Sequence, residues 1–366
     1  MDTTALRLER KRRLGEMMAR EGWDTLVVAG NAWHNDGLRY VSDLAVVEGE
    51  AIAVIDSGGD TAIYVECPIE AERAAVEAPG VAVAWAADLA GAVAGHLRRL
   101  GNRRMATSTP ALLPLALGGG GLADGEAAFD RLLLEKSAVE VAAIRRAADI
   151  ADAGYREFMR AARPGRREYE LVAEVEGWLR AHGAADNFMI IGSGGREVMG
   201  MHPPGARALQ AGDMVTTELT PCVDGYYAQI CRTLVIGPPT EAQRHAFALF
   251  RAAMEAGIAA VKPGARACDV AKAENDVFRR AGLGNYVTSE YTRVRGHGMG
   301  LFVDTKPHIL EDVETPLVPG MTLIVHPNTY HPEVGYLVLG DAVAVTETGC
   351  EVLCRTPREL FSVPAQ

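Results

Sequence analysis

The pattern of apolar and polar positions divides the chain into two parts, and the first alternates helices with short strands. Apolar residues recur at helical spacing from about Thr4 to Glu21, and the apolar run DTLVVAG that follows is typical of a buried strand. The later segments are AIAVI and TAIYVE, a hairpin joined by DSGGD, and then the helical segments PIEAERAAVEA and LAGAVAGHLRRL, which alternate with the short strands VAVAW and RRMATS. This alternation predicts an α/β domain.

A glycine-rich stretch, ALGGGGLADGE, ends this first part. Polar residues follow its glycines, no strand leads straight into it and no helix begins there, so it predicts a loop rather than a phosphate-binding turn. A chain of 366 residues is also longer than one hydrophobic core usually organises. We therefore predict an N-terminal domain over residues 1–126 and a second domain over residues 127–366.

The second part contains two similar blocks, each with a helix pair followed by strands. The helices are KSAVEVAAIRRAADIADAGYREFMRAA and EYELVAEVEGWLRAHG in the first block, and EAQRHAFALFRAAMEAGIAAV and ARACDVAKAENDVFRRAG in the second. Strand-rich segments close each block. The duplication predicts an α+β domain in which a curved antiparallel sheet carries helices on its outer face.

One predicted hairpin, GDMVTTELTPCVDGYYAQICRT, carries an unusual set of polar side chains. Side chains alternate between the two faces of a strand, so every second residue shares a face. The residues that share a face are Thr216, Glu218 and Thr220 on the first strand and Tyr227, Gln229 and Cys231 on the second. A lone carboxylate, an amide and a thiol are thereby aimed at one space.

Three of the nine histidines stand beside glycine or proline in strand or loop contexts: His202 in GMHPPG, His297 in RGHGMG and His326 in IVHPNTY. A histidine can accept and return a proton near neutral pH, so each is a candidate acid/base. Two neutral imidazoles with Glu218 are also a workable set of ligands for one metal ion. The residues alone leave both readings open.

Composition and charge narrow the classes of partner. The net charge of −11, with acidic residues spread along the chain, argues against a nucleic-acid surface. The charged N-terminus is unlike a signal peptide, and no apolar run approaches the roughly 20 residues of a membrane span, so we predict a cytoplasmic protein without membrane contact. The six cysteines lack CxxC spacing and indicate neither a zinc knuckle nor a disulfide framework.

An ordered series of motifs carries a family resemblance: KSAVEVAAIRRAADIAD, GMHPPG, the hairpin above, KPGARACDV, GHGMG, PGMTLIVHPNTY and DAVAVTETGCEVL. Over essentially its whole length the chain resembles the pita-bread fold family of methionine aminopeptidase, aminopeptidase P, prolidase and creatinase. The resemblance implies an α+β fold, with a C-terminal pita-bread catalytic domain and a smaller creatinase-like N-terminal α/β domain.

The resemblance also implies where metal ions bind in the peptidases of this family, at two Asp, one His and two Glu. The corresponding residues here are Glu218, Gln229, His297, His326 and Gly340. Only His297 is of the expected type, and two cations that lack the bridging carboxylates repel each other strongly. The departure argues against a dinuclear metallopeptidase and for an enzyme without a metal cofactor. If one ion remains, His297, His326 and Glu218 hold it.

The same departure resembles creatinase, the metal-free member, as does the segment GYYAQICRT. We therefore predict a metal-independent, creatinase-like enzyme that hydrolyses a C–N bond in a small polar molecule. By this resemblance His202 is the acid/base. Glu218 holds a positive or donor group of the substrate, while His297 and His326 polarise or orient it.

Other residues are predicted to bind the substrate. Gln229, Cys231 and Tyr227 line the pocket, and Asp304 stands where the peptidases usually have a further histidine. Creatinase grips a carboxylate with an arginine from its N-terminal domain, but the segment LAVVEGEAIAVI offers Glu48 and Glu50 instead. Creatine is therefore a poor substrate candidate. The two glutamates either meet a cationic ligand group or face solvent.

Three alternatives stay open. The first is a metal-free lyase on the same scaffold, the second a mononuclear-metal hydrolase similar to Xaa-Pro peptidases, and the third a non-catalytic module that binds a peptide or protein. The resemblance further implies a homodimer in which one subunit's N-terminal domain covers the other's pocket.

Overall fold

A computed structural model describes residues 4–101, 103–114, 117 and 121–365. The chain divides into two compact units, Met1–Val139 and Glu140–Gln366. The predicted boundary after residue 126 lies earlier, because the helix Glu126–Leu134 packs against the first helix of the chain and so belongs to the N-terminal unit. Much of the glycine-rich stretch that was predicted to be a loop, residues 116 and 118–120, lies outside the described residues.

The N-terminal unit is a mixed sheet with helices, as the alternating pattern predicts. Its described helices are α1 (Thr4–Glu21), α2 (Asp36–Ser42), α3 (Pro68–Glu77), α4 (Leu89–Leu100) and α5 (Glu126–Leu134). Its described strands are β1 (Thr25–Asn31), β2 (Glu50–Asp56), β3 (Thr61–Val65), β4 (Ala82–Trp85), β5 (Met105–Thr107) and β6 (Ala123–Asp124). The sheet order is β4-β3-β2-β1-β5-β6, and the predicted hairpin is the antiparallel pair β2 and β3.

Strand alternation builds the core of this unit. Val27 and Ala29 on β1 and Ile52 and Val54 on β2 are buried on one face of the sheet, where α4 packs through Leu89 and Val93 at i,i+4 spacing. These residues bury the apolar faces of both elements.

The C-terminal unit contains the longer helices and a larger sheet. Its described helices are α6 (Ala138–Ala161), which spans the boundary, α7 (Glu168–Ala181), α8 (Glu241–Ala260) and α9 (Ala267–Arg280). Its described strands are β7 (Asp186–Gly194), β8 (Met214–Val223), β9 (Tyr226–Tyr227), β10 (Ile230–Ile236), β11 (Gly296–Gly298), β12 (Thr305–His308), β13 (Thr322–Val325), β14 (Thr329–His331), β15 (Gly335–Leu337), β16 (Gly340–Val345), β17 (Cys350–Val352) and β18 (Phe361–Val363).

The main sheet of this unit is antiparallel along its path β12-β11-β13-β16-β10-β8-β7. Helices α8 and α9 pack together over part of it through a core that includes Phe247, Phe250 and Met254 on α8 and Phe278 on α9. The Phe250 and Phe278 rings meet edge to face at 4.9 Å. This architecture confirms the predicted α+β class. None of the helices in the described ranges is long and apolar enough to cross a bilayer.

A buried ion pair joins the central strands. Arg232 on β10 is fully buried, and its Nη2 donates to Asp341 Oδ1 on β16 at 2.6 Å. The same guanidinium donates to the carbonyls of Gly340 and Thr356, both at 2.7 Å, and Arg358 Nε donates to Asp341 Oδ2 at 2.8 Å. One guanidinium thus connects two strands and the C-terminal segment.

Replacing Asp341 with Ala should lower the free energy of unfolding by about 3–5 kcal/mol, because Arg232 would keep its charge in the core without its carboxylate. Urea unfolding followed by circular dichroism measures the change. The matched control is Glu351→Ala, which removes the carboxylate of the exposed Arg145–Glu351 pair and should cost about 1 kcal/mol or less. Equal effects in the two variants would contradict this account.

Candidate active site

The sheet register places a row of side chains on one face. Glu218 on β8 lies opposite Ile190 on β7 and opposite Cys231 on β10, and Cys231 lies opposite Gly340 on β16. Residues directly opposite in an antiparallel pair project from the same face. Glu218 and Cys231 therefore project from the same face of the sheet, as predicted.

A cleft of ≈ 360 Å³ opens over this face. Five residues predicted from the sequence line it: Glu218, Gln229, His297, Asp304 and His326. Its walls also include the apolar side chains of Phe188, Ile190, Met201 and Val303, together with Arg293 and Asn328. Its size is that of a site for a small ligand.

Close backbone packing positions His297 at the cleft. A side chain at Gly296, whose φ is +143°, would put its Cβ 2.1 Å from the Ile324 carbonyl oxygen, and one at Gly298 would lie 2.1 Å from the Lys306 carbonyl oxygen. The two glycines therefore let β11 fit between its neighbours. His297 Nδ1 lies 2.9 Å from the carbonyl oxygen of Gly298, which leaves Nε2 as the free ring nitrogen.

His326 faces His297, with the ring centroids 5.6 Å apart. It is 5% exposed, and its Nδ1 has no hydrogen-bond partner among the described residues. Burial, together with the neighbouring His297, lowers the pKa of His326 to about 3, and burial also lowers the pKa of His297. Both imidazoles are therefore neutral near pH 7, which is the form that binds metal ions.

Glu218 is the buried carboxyl group of the cleft. Burial raises its pKa to about 7, although hydrogen bonds from Cys231 and Asn328 and the charge of Arg293 act in the opposite direction. Asn328 Nδ2 donates to Glu218 Oε1 at 3.0 Å. The Cys231 thiol stays protonated, because burial raises its pKa well above the usual value.

Sequence reasoning missed Asn328 and Arg293. Asn328 is 2% exposed, and its Oδ1 accepts from the backbone N–H of Leu339 at 3.1 Å, so its amide is held in place on both sides. Its position two residues after His326, in the segment IVHPNTY, was the available signal, although both residues lie between strands in the structure. Arg293 lies four residues before His297, outside any strand, and its place in the cleft had no comparable signal.

His202, the predicted acid/base, is not among the residues that line the cleft. Its backbone pairs with Ile191, whereas Glu218 lies opposite Ile190, so alternation directs the two side chains to opposite faces. The His202 side chain is 55% exposed, with Nδ1 at 2.7 Å from the Pro203 carbonyl oxygen and 3.9 Å from Glu168 Oε2. The neighbouring residue Met201 lines the cleft instead.

Four predicted substrate-binding residues also lie outside the cleft lining. Tyr227 pairs with Cys222, and Cys222 lies four residues from Glu218, which is about 13 Å along β8. The Tyr227 hydroxyl donates a hydrogen bond to Asp186. Cys231 is fully buried beneath the cleft, where its Sγ accepts from Gln229 Nε2 at 3.3 Å. Glu48 and Glu50 belong to the N-terminal unit, in which both are exposed.

Comparison with known proteins defines the family. Residues 142–347, more than half of the chain, match the family model for metallopeptidase family M24. The chain belongs to this family, which confirms the resemblance drawn from its motifs.

Two curated relatives show the degree of similarity. The chain is 31% identical to the Xaa-Pro dipeptidase of Pyrococcus furiosus over 233 residues, 63% of this chain and 65% of that protein. It is 32% identical to the probable dipeptidase PepE of Mycobacterium tuberculosis over 236 residues, 64% and 62% of the two chains. The matched segment thus spans a little under two thirds of each relative's length.

Solved structures extend the similarity to the whole chain. The dipeptidase PepE of Mycobacterium ulcerans is 27% identical, with a TM-score of 0.81 over 100% of this chain and 99% of that one. The X-Pro aminopeptidase of Thermotoga maritima, at 21% identity, shares the fold with a TM-score of 0.87 over 96% and 99% of the chains. The predicted pita-bread fold with a smaller N-terminal domain is confirmed.

The prediction of a metal-independent, creatinase-like hydrolase is wrong. The matching family is one of metallopeptidases, and the relatives carry the names Xaa-Pro dipeptidase and dipeptidase PepE. The argument against a dinuclear metallopeptidase conflicts with the same relatives. Both predictions were based on a few substituted positions in one cleft, whereas the similarity extends over the whole C-terminal unit.

Replacing Gly340 with Ala should destabilise the protein by about 1–3 kcal/mol. The new Cβ would lie 2.7 Å from His326 Cβ and 3.1 Å from both Cys231 Sγ and the Val325 carbonyl oxygen, so β16 and His326 would have to move apart. Urea unfolding measures the loss. Gly349→Ala is the matched control, since a Cβ there meets nothing within 4 Å, and an equal loss in both variants would refute the packing argument.

Proposed function

We propose that the chain is a metal-dependent hydrolase of short peptides, similar to Xaa-Pro dipeptidases. The observation that carries the proposal is the meeting of two neutral imidazoles and one carboxyl group in a single cleft of an M24 domain. The dipeptidase names of its relatives support the choice of substrate. The homodimer and the cytoplasmic location remain predictions.

The types of side chain in the cleft, though not their present spacing, suit one divalent ion. His297 and His326 are buried and neutral, and the Nδ1 of His326 is a buried ring nitrogen without a hydrogen-bond partner in the described part of the chain. Glu218 supplies the anionic ligand, and two imidazoles with one carboxylate are a common set for a single ion. Gln229 and Gly340 add no carboxylate. Within the described ranges no three His, Cys, Asp or Glu side chains are placed so that they could hold a metal ion as they stand, so the three side chains would have to move closer together to bind one.

The residues around this donor set suit a short peptide. An ion held by His297, His326 and Glu218 would polarise the peptide carbonyl. Asn328 holds the Glu218 carboxylate in one orientation, and the amide of Gln229 can hydrogen-bond a peptide group. Phe188, Ile190 and Met201 provide an apolar wall that would cover the substrate's side chains and exclude water. No proton transfer is assigned to His202, because its side chain lies outside the cleft.

Purified protein should hydrolyse Xaa-Pro dipeptides only when a divalent ion is bound. Elemental analysis should find about one ion per chain, and chelation should abolish turnover until Mn²⁺, Co²⁺ or Zn²⁺ is restored. His297→Ala should lower kcat/KM by about 10²-fold or more and reduce the bound metal, because both effects depend on the same imidazole.

The matched control is His245→Ala, because His245 is a 77% exposed histidine on α8. It should leave metal content and turnover unchanged. Full activity in metal-free protein would contradict the metal dependence, and a complete absence of dipeptide hydrolysis by metal-loaded protein would contradict the substrate class.

A further inference from the structure

An ion pair between Arg293 and Asp304 lies on the wall of the cleft. Arg293 Nη2 donates to Asp304 Oδ2, and both residues line the cleft. Asp304 Oδ1 accepts from His308 Nε2 at 3.0 Å and lies 3.8 Å from His297 Nδ1. The pair therefore borders the proposed hydrolytic centre directly.

The two partners are held to different degrees. The Arg293 side chain is 65% exposed and lies on a segment between elements, whereas the Asp304 side chain is 27% exposed and has a second partner in His308. An ion pair with one largely exposed partner contributes little to stability, because water competes for both charges. Arg293 can therefore leave Asp304 at small cost.

The charges on the cleft wall complement a ligand with two ends. Among the described residues that line the cleft, Arg293 is the one arginine, and there is no lysine. A guanidinium binds a carboxylate through two parallel hydrogen bonds, and this arrangement is stronger than an exposed pair with a single contact. Once Arg293 turns to a ligand, Asp304 Oδ2 is available for an ammonium group.

We propose that Arg293 and Asp304 exchange their mutual ion pair for a zwitterionic substrate, with the substrate carboxylate on Arg293 and its ammonium on Asp304. One ion pair is replaced by two, so net charge is conserved in the cleft. The inference is based on the proposed peptide hydrolysis and narrows it. The cleft selects free dipeptides over peptides that are capped at either end.

The test compares three forms of one dipeptide: free, C-terminally amidated and N-acetylated. Arg293→Ala should raise KM for the free dipeptide about tenfold with kcat nearly unchanged, and should leave KM for the amide unaffected. Arg293→Lys should restore part of the affinity, since it keeps the charge but not the two-pronged geometry. Asp304→Asn should weaken the free and amidated forms and leave the acetylated form unaffected.

Arg145→Ala is the matched control, because Arg145 is part of an ion pair at the surface with Glu351 and does not line the cleft. It should leave all three KM values unchanged. Equal losses for the free and amidated dipeptides in Arg293→Ala would overturn the proposal, since a general structural defect does not distinguish the two ligands.

Calorimetric binding separates this proposal from the proposed function. If metal-loaded protein hydrolyses no dipeptide, the hydrolase proposal fails, yet the wild-type protein should still bind the free dipeptide about tenfold more tightly than its amide. That preference should vanish in Arg293→Ala. Equal affinity of the wild-type protein for both ligands would overturn the carboxylate contact whatever the activity.

Discussion

The buried ion pair between Arg232 and Asp341 is the contact on which the site depends. A charged guanidinium in a core is tolerated only when carboxylate and carbonyl oxygens surround it, and here those oxygens come from β16 and the C-terminal segment. The pair thereby holds the register of β10 against β16. A slip of one residue would turn every side chain of a strand to the opposite face, so this register keeps Cys231 opposite Gly340. The pairing of β10 with β8 then sets Glu218 opposite Cys231.

Burial also determines the chemistry of the cleft. It lowers the pKa values of His297 and His326, so both rings are neutral, and it raises the pKa of Glu218 to about 7. A bound cation would favour the ionised carboxylate and would be held by neutral rings without charge repulsion. Arg293 and Asp304 form an ion pair on the cleft wall in which the arginine is largely exposed to solvent, and this is the pair that we propose to recognise the ends of a substrate.

The sequence predicted the helices and strands better than it predicted the roles of individual residues. Helix α1 and the antiparallel sheet follow from periodicity, and the motif series led to the correct family. The assignment to a metal-free, creatinase-like branch was wrong, because single substitutions such as Gln229 and Gly340 outweighed the similarity of the whole unit. His202 was given a catalytic role from its motif, yet strand pairing with Ile191 turns its side chain away from Glu218.

By itself, the sequence determined the fold class, the family and the facial pairing of Glu218 with Cys231, because all three follow from local periodicity and ordered motifs. Only the tertiary structure decided which side chains meet in the cleft. Asn328 and Arg293 line the cleft although they lie outside the hairpin, whereas Tyr227 lies on the hairpin but outside the cleft, where its hydroxyl donates to Asp186. Such contacts join residues far apart in sequence, and they depend on strand register and burial, which no local pattern encodes.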